Sequence, residues 1–198
     1  RFNSDQIQKI GKEISSKVDG KTLFDEFSRG RYSTDASVYQ IKPLGVVLPK
    51  DTNDVLSLME YSQKNSVPLL ARGGGSSQCG QTVGESVVLD YSKHQNKILE
   101  LNVEEKYVWV QPGVVLDHLN AYLKPHGLWF PVDVSTSSRA TIGGMSANNS
   151  CGSRSLYYGN MVHNVLAIEA ILDDGSIFNF DQINKNYLAT KNKPRQTL

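Results

Sequence analysis

Val67-Pro68-Leu69-Leu70-Ala71-Arg72-Gly73-Gly74-Gly75-Ser76-Ser77 runs from a short apolar stretch straight into three glycines and two hydroxyls. The apolar part reads as a buried strand, and the glycines remove every Cβ where the chain must turn. Upstream, Gly45-Val46-Val47-Leu48-Pro49 reads as a second short strand, ended by proline. Between the two, Asp51 or Thr52 caps a helix carrying Val55, Leu56, Met59 and Tyr61. Strand, helix and strand within about thirty residues is the size of a βαβ unit. Ser86 to Asp90 follows as a further apolar strand.

Working outward, the N-terminal segment reads as a helix capped by Ser4, with Ile7, Ile10, Ile14 and Val18 on one face and Gly20 as a left-handed stop. Leu23, Phe24 and Phe27 mark a short amphipathic stretch, and 31–40 reads as an ordered loop. The second half has antiparallel character. Ile98 to Leu101 and Tyr107 to Val110 read as strands, and Leu116 to Lys124 as a helix ended by Pro125 and Gly127. Val165 to Leu172 reads as a strand, Asp173-Asp174-Gly175 as a hairpin turn, and Ile177 to Phe180 as the return. The expected organisation is a helical arm (1–40), a first subdomain (41–95), a second (96–181) and a polar, frayed tail (182–198), an α+β fold.

Composition excludes several classes. The 198 residues hold 21 Lys+Arg against 20 Asp+Glu, a net charge of +1. A general nucleic-acid binder would carry a basic excess. No apolar run approaches the roughly 20 residues of a membrane span, and no signal peptide opens the chain. The first residue is Arg1 rather than Met, so the natural N-terminus is expected upstream. Cys79 and Cys151 form no CxxC pair, so a disulfide framework is not expected and the reducing cytoplasm is the expected compartment, free or at the membrane periphery. His94, His118 and His126 read as solvated, and His163 as structural. No metal site is expected. Trp109 and Trp129 are expected to be core or subdomain-packing residues.

Two stretches could carry chemistry. In Gly73-Gly74-Gly75-Ser76-Ser77, with Gly80-Gln81 close behind, successive backbone N–H groups can converge on an anion such as a diphosphate, and hydroxyls can add donors. Gln78 stands where GxGxxG needs its third glycine, and no Gly-Lys-Ser/Thr follows, so neither usual phosphate signature applies. A plain glycine turn is the alternative. The second stretch, Pro131 to Gly152, has almost no large apolar side chain yet lies between strong strands. More than twenty residues with no core of their own read as wrapped around a ligand, or as a long Ser-rich surface loop.

Together the two stretches carry a resemblance. Arg72-Gly73-Gly74-Gly75-Ser76-Ser77-x-x-Gly80, then Ala140-Thr141-Ile142-Gly143-Gly144-x-x-x-Asn148-x-x-x-Gly152 and Tyr158-Gly159, resemble the FAD-binding (PCMH-type) domain of the vanillyl-alcohol oxidase and p-cresol methylhydroxylase flavoproteins. Thr34-Asp35-Ala36-Ser37-x-Tyr39 and Ser135-Thr136-Ser137-Ser138-Arg139-Ala140-Thr141 are similar to the bacterial D-lactate, glycolate and D-2-hydroxyglutarate dehydrogenases that carry iron–sulfur modules. The resemblance covers about residues 31–180.

It implies a two-subdomain fold, a small βαβ part and a mixed or antiparallel part with helices, with FAD between them. Gly73, Gly74, Gly75, Ser76 and Ser77 would hold the pyrophosphate, with Gly80 and Gln81 nearby. Thr141, Gly143 and Gly144 would line the pyrophosphate and flavin side. Ser135, Thr136 and Asn148 would bond polar cofactor atoms, and the Val165 backbone would meet the adenine end. In many relatives a histidine in the first motif tethers the flavin. Here Gly75 and Ser76 occupy that region, so non-covalent FAD is implied, with Cys151 a small buried thiol. The implied activity is oxidation of a D-2-hydroxy acid recognised by a cap domain outside this chain. Electrons would leave to an acceptor or iron–sulfur module, and the chain alone is expected to be inactive. No catalytic residue is assigned. A UDP-N-acetylenolpyruvylglucosamine reductase-like enzyme and a non-catalytic flavin-binding or electron-transfer module are the alternatives.

Overall fold

The computed structural model describes residues 2–181. The expected polar tail, 182–198, lies outside them. In chain order the elements are α1 (Ser4–Ser15), β1 (Lys21–Leu23), α2 (Glu26–Arg31), β2 (Gly45–Leu48), α3 (Thr52–Asn65), β3 (Leu69–Arg72) and β4 (Val87–Asp90). Then follow β5 (Ile98–Asn102), β6 (Tyr107–Val110), α4 (Leu116–Leu123), a 3-10 turn (Lys124–His126), α5 (Ile142–Ala147), α6 (Ser155–Tyr158), α7 (Met161–Asn164), β7 (Ile168–Ile171) and β8 (Ile177–Phe180).

Four strands form the principal sheet in the order β1-β2-β4-β3. The expected strand–helix–strand unit is present, but β2 and β3 are not neighbours. β4 lies between them, parallel to both, with Val46 opposite Val88 and Leu70 opposite Val88. β2 and β4 are buried along their whole length, as central parallel strands covered on both faces must be. On one face Ile7, Ile10 and Ile14 of α1 and Val55, Leu58 and Tyr61 of α3 pack with Val47, Val87 and Leu89. On the other, Val46, Leu48 and Val88 pack with Leu23, Tyr32 and Leu70.

Asp51, rather than Thr52, caps α3, its carboxylate accepting from the N–H groups of Asn53 and Asp54. Asn3 rather than Ser4 caps α1, in a reciprocal box with Gln6. That helix ends at Ser15, so Val18 and Gly20 fall in the connection to β1. The buried carboxylate of Asp54 anchors this connection by accepting from the backbone N–H of Asp19, Gly20 and Lys50 at 2.7–2.9 Å.

The second half builds its own apolar clusters. Val114, Leu119 and Leu123 pack under the β5–β6 hairpin, and Leu116, Val132, Ala140, Met145 and Met161 form a further cluster. The expected strand from Val165 is shorter, beginning at Ile168, because Val165 closes the single-turn helix α7 with its N–H on Met161 O. The β7–β8 hairpin turns at Asp173-Asp174-Gly175 as the sequence predicts, and it folds back on α3. There Gln63 Nε2 donates to Asp173 O, and Ile171 packs against the first cluster. Trp109 and Trp129 are both about 40% exposed, not core residues; Trp129 lies edge-on to Tyr158 and under the Arg154 guanidinium.

Candidate functional site

The chain leaves β3 at Arg72 and enters the glycine loop directly. Gly75 takes φ +64°, a left-handed conformation that favours glycine. Among the hydrogen bonds of the described residues, none is donated by the backbone N–H of Gly73, Gly74, Gly75 or Ser76. Four consecutive amides are therefore left for an outside acceptor, the arrangement an anion requires. Ser77 is engaged: its hydroxyl donates to Gln81 Oε1 at 2.6 Å and accepts from Cys79 N–H.

The second stretch is not a coreless loop. It contains α5, capped by Thr141, with Ala140, Thr141 and Met145 buried. Glycines at the helix start lower its intrinsic propensity and hide it from pattern reading. Tertiary bonds hold it instead: Ile142 N–H donates to Val114 O at 2.8 Å, Gly143 N–H to Pro112 O at 2.9 Å and Gly144 N–H to the Thr141 hydroxyl at 3.4 Å. The first-turn amides of α5 are thus satisfied within the protein, unlike those of the glycine loop.

The two stretches meet. A side chain on Gly74 would collide with the carbonyl oxygen of Arg139, and one on Gly73 with the Thr141 hydroxyl. Gln81 Nε2 donates to Asn148 Oδ1 at 2.8 Å. Gly73, Gly74, Gln81, Thr141 and Asn148 are therefore brought together, with Gly75, Ser76, Ser77 and Gly80 on the same loop and Gly143 and Gly144 on the same helix. Ser135 and Thr136 begin the turn that feeds α5, where Thr136 O accepts from Arg139 and Ala140. Val165 is connected to the site through the core it shares with Ala140 and Met145. Cys151 is exposed, not the expected buried thiol, while the next residue, Gly152, packs closely on Asp133. The Ser153 hydroxyl and the Arg154 N–H keep the Asp133 carboxyl below its usual range.

Three residues outside the expected set also shape the loop. The Tyr39 ring packs against Gly80, the Arg72 guanidinium lies against Gly75, and Pro112 seats Gly143. Tyr39 and Arg72 stand in the quoted motifs, which is the sequence signal for them. Asp35 accepts from Ser37 N–H and the Thr82 hydroxyl; burial raises its pKa, but these donors outweigh it and the value falls below the ordinary one. The Tyr32 hydroxyl donates to Asp90 at 2.6 Å, and burial first, then this carboxylate, push the phenol up. All four histidines are exposed. Among the described residues no group of His, Cys, Asp and Glu could hold a metal, and no helix is long and apolar enough to cross a membrane. A cavity of about 340 Å³ between α1 and α3, lined by Glu13, Tyr61 and Lys64 among others, shares no residue with the two loops.

This cradle matches a known class. The FAD binding domain family matches residues 43–181, and the chain belongs to that family. The D-2-hydroxyglutarate dehydrogenase of Haemophilus influenzae is 42% identical over 155 residues, which are 77% of this chain and 15% of that protein. The Escherichia coli enzyme of the same name is 37% identical over 182 residues, 90% of this chain and 18% of the relative. Glycolate oxidase subunit GlcD of Bacillus subtilis is 37% identical, matching 86% of this chain and 37% of that subunit. The chain thus spans less than a fifth of the length of the dehydrogenases. Among solved structures, p-cresol methylhydroxylase shares the fold with a TM-score of 0.73 at 18% identity, covering 90% of this chain and 36% of that one. An alkyldihydroxyacetonephosphate synthase superposes with a TM-score of 0.78 at 20% identity, covering 93% of this chain and 36% of that one.

The residues present fit FAD. Glycines at 73 and 74 leave no Cβ between the loop and α5, and the free amides suit a diphosphate.

Proposed function

We propose that the chain is the cofactor-holding part of an FAD-dependent dehydrogenase that oxidises a D-2-hydroxy acid of the D-2-hydroxyglutarate, D-lactate or glycolate type. The observation that carries this reading is the meeting of Gly74 with Arg139 O, which unites two stretches 65 residues apart into one cradle. The names of the relatives support the substrate class.

The amides of Gly73 to Ser76 would hold the diphosphate, with Ser77, Gly80 and Gln81 shaping the loop. Thr141, Gly143, Gly144 and Asn148 would form the opposing wall; the two glycines act through packing, because their amides are engaged, while the Thr141 hydroxyl, which accepts from Gly144 N–H, keeps its proton as a donor. Ser135, Thr136 and Val165 complete the proposed set. When bound, FAD supplies the two-electron acceptor for the hydroxyl-bearing carbon. This chain's part is to bind and orient. Attachment is non-covalent. Recognition of the acid falls to a cap domain elsewhere in the polypeptide, and electrons pass to an acceptor or an iron–sulfur module of the longer protein, in the cytoplasm or at a membrane surface. The division into an arm, two subdomains and a tail, with the boundary near residue 95, belongs to the same reading.

Gly74→Val in the full-length protein tests it. Loss of flavin and of dye reduction with D-2-hydroxyglutarate, D-lactate and glycolate, with folding retained by circular dichroism, is the expected result. Unchanged flavin content would overturn the assignment.

A further inference from the structure

Arg72 is the last residue of β3, and its guanidinium is tucked beneath the loop that follows. Every protein acceptor it uses is a neutral carbonyl. Nη2 donates to Thr34 O at 2.9 Å, and Nη1 donates to Thr82 O at 3.2 Å and Tyr32 O at 3.5 Å. The Tyr32 ring lies 5.2 Å from Cζ. Among the described residues no carboxylate forms a salt bridge with it. The two acids of this network are engaged elsewhere, Asp90 by the Tyr32 hydroxyl and by Ser92, and Asp35 by Ser37 N–H and the Thr82 hydroxyl.

The side chain therefore does two things at once. Its fork ties the segment before β2 and the chain beyond Gly80 to the root of the glycine loop. A side chain on Gly75 would collide with Nη2, so the loop backbone rests directly on the guanidinium. The positive charge is partly buried and forms no salt bridge, although Asp35 and Asp90 stand in the same network, and Gly75 of the loop rests on it. Solvent screens the charge only in part, because the Nη1 bonds are part-buried while Nη2 lies at the exposed side.

We infer that Arg72 is the residue that makes this site select a diphosphate-bearing flavin over a phosphate-free one. It compensates the ligand's negative charge through the loop, and it is a positioning residue rather than a catalytic one. The inference rests on the FAD reading above and adds to it the source of the charge complementarity, which four neutral amides do not supply. A lysine would keep the charge but lose the three-carbonyl fork. Glutamine would lose both.

The test uses full-length protein freed of flavin, with FAD and riboflavin titrated by fluorescence quenching into the parent, Arg72→Lys and Arg72→Gln. Arg72→Gln should weaken FAD about tenfold or more, as expected for loss of a unit charge at short range in a partly screened site. Riboflavin affinity should stay within about twofold, because it carries no phosphate charge. Arg72→Lys should fall between. Parent FAD affinity should decline with KCl, and that slope should flatten in Arg72→Gln. Where riboflavin binds too weakly to titrate, competition of FAD by ADP and by adenosine gives the same contrast. Equal weakening of both ligands, or FAD affinity within twofold of the parent, overturns the inference and leaves Arg72 as a structural tie. If Arg72→Gln fails to fold, Arg72→Lys and the salt dependence of the parent decide, a flat salt profile being the refuting result. A parent that takes up no FAD at all refutes the cofactor reading instead.

Discussion

Gln81 Nε2 donates to Asn148 Oδ1 at 2.8 Å, a bond between side chains 67 residues apart. It joins the end of the glycine loop to the C-terminal cap of α5. Ser77 lies behind it, its hydroxyl on Gln81 Oε1. The three residues form a chain of polar contacts across the two stretches, so each stretch is placed by the other.

Gln81→Ala and Asn148→Ala should each weaken FAD binding in the full-length protein. The bond is exposed, so its worth is about 0.5–1 kcal/mol. The double variant should lose little more than either single one, since both remove one contact. Fully additive losses in FAD affinity would show that the two side chains act independently.

Flavin should be released completely by acid. No histidine, the residue whose ring could tether a flavin, lies between Arg72 and Gly80. Acid precipitation of the full-length holoprotein should send all yellow colour to the supernatant; colour left in the washed pellet contradicts this.

The 198 residues alone should bind FAD weakly or not at all and should not turn over D-2-hydroxy acids. Amides of the glycine loop lack protein partners and depend on ligand contacts for order. FAD titration followed by D-lactate or D-2-hydroxyglutarate with a dye acceptor reads both. Tight stoichiometric binding refutes the first claim, and dye reduction above a free-flavin control refutes the second.

Asp54→Ala should destabilise the fold by about 3 kcal/mol or more, because three backbone N–H groups lose one charged acceptor in a buried site. Urea unfolding of parent and variant measures it. A change below about 1 kcal/mol would mean that water replaces the carboxylate.

Tyr61 gives a pH prediction. Burial first, and then the Glu13 carboxylate that accepts its proton at 2.6 Å, push the phenol from 10.0 up to about 12. The native state therefore keeps this proton where the unfolded chain has lost it. The associated stability is full below about pH 10 and disappears as pH climbs to about 12. Tyr61→Phe should be less stable than the parent near neutrality by about 1 kcal/mol, and its stability should fall less steeply across that alkaline window. Parallel pH profiles for the two proteins would rule this out.

Much of the principal sheet is legible in the sequence. The runs at Val46 to Leu48 and Val87 to Leu89 are apolar on successive residues, which only strands buried on both faces require. The βα unit announces itself through a cap at Asp51 or Thr52 and the spacing of Val55, Leu56, Met59 and Tyr61, although the face that the structure buries runs through Val55, Leu58 and Tyr61. What escapes pattern reading is set by contacts between distant residues. That β4 separates β2 from β3 is a property of pairing, not of any local stretch. The helix α5 begins Ile142-Gly143-Gly144, weak helix formers held by Val114 and Pro112 carbonyls about thirty residues upstream. The candidate site is legible as motifs, but not the division of labour within it. The Gly143 and Gly144 amides are engaged by tertiary contacts, while those of Gly73 to Ser76 are free, a difference that no local pattern carries.

The central position of β4 also dictates an order of events in folding. β2 can pair early with β1, but β2 and β3 have no ladder with each other, so β3 cannot join the sheet until residue 90 is available to pair with both. The glycine loop lies within the 14-residue link from Arg72 to Val87 that must close for this to happen. Closing a link of that length carries a modest entropic cost, which grows only slowly with its length. The same loop thus serves as the hinge over which the nascent chain doubles back into its own sheet. A nascent polypeptide arrested before Val87 would hold one open edge of β2 and a wholly unpaired β3, and would be the species most exposed to aggregation during synthesis.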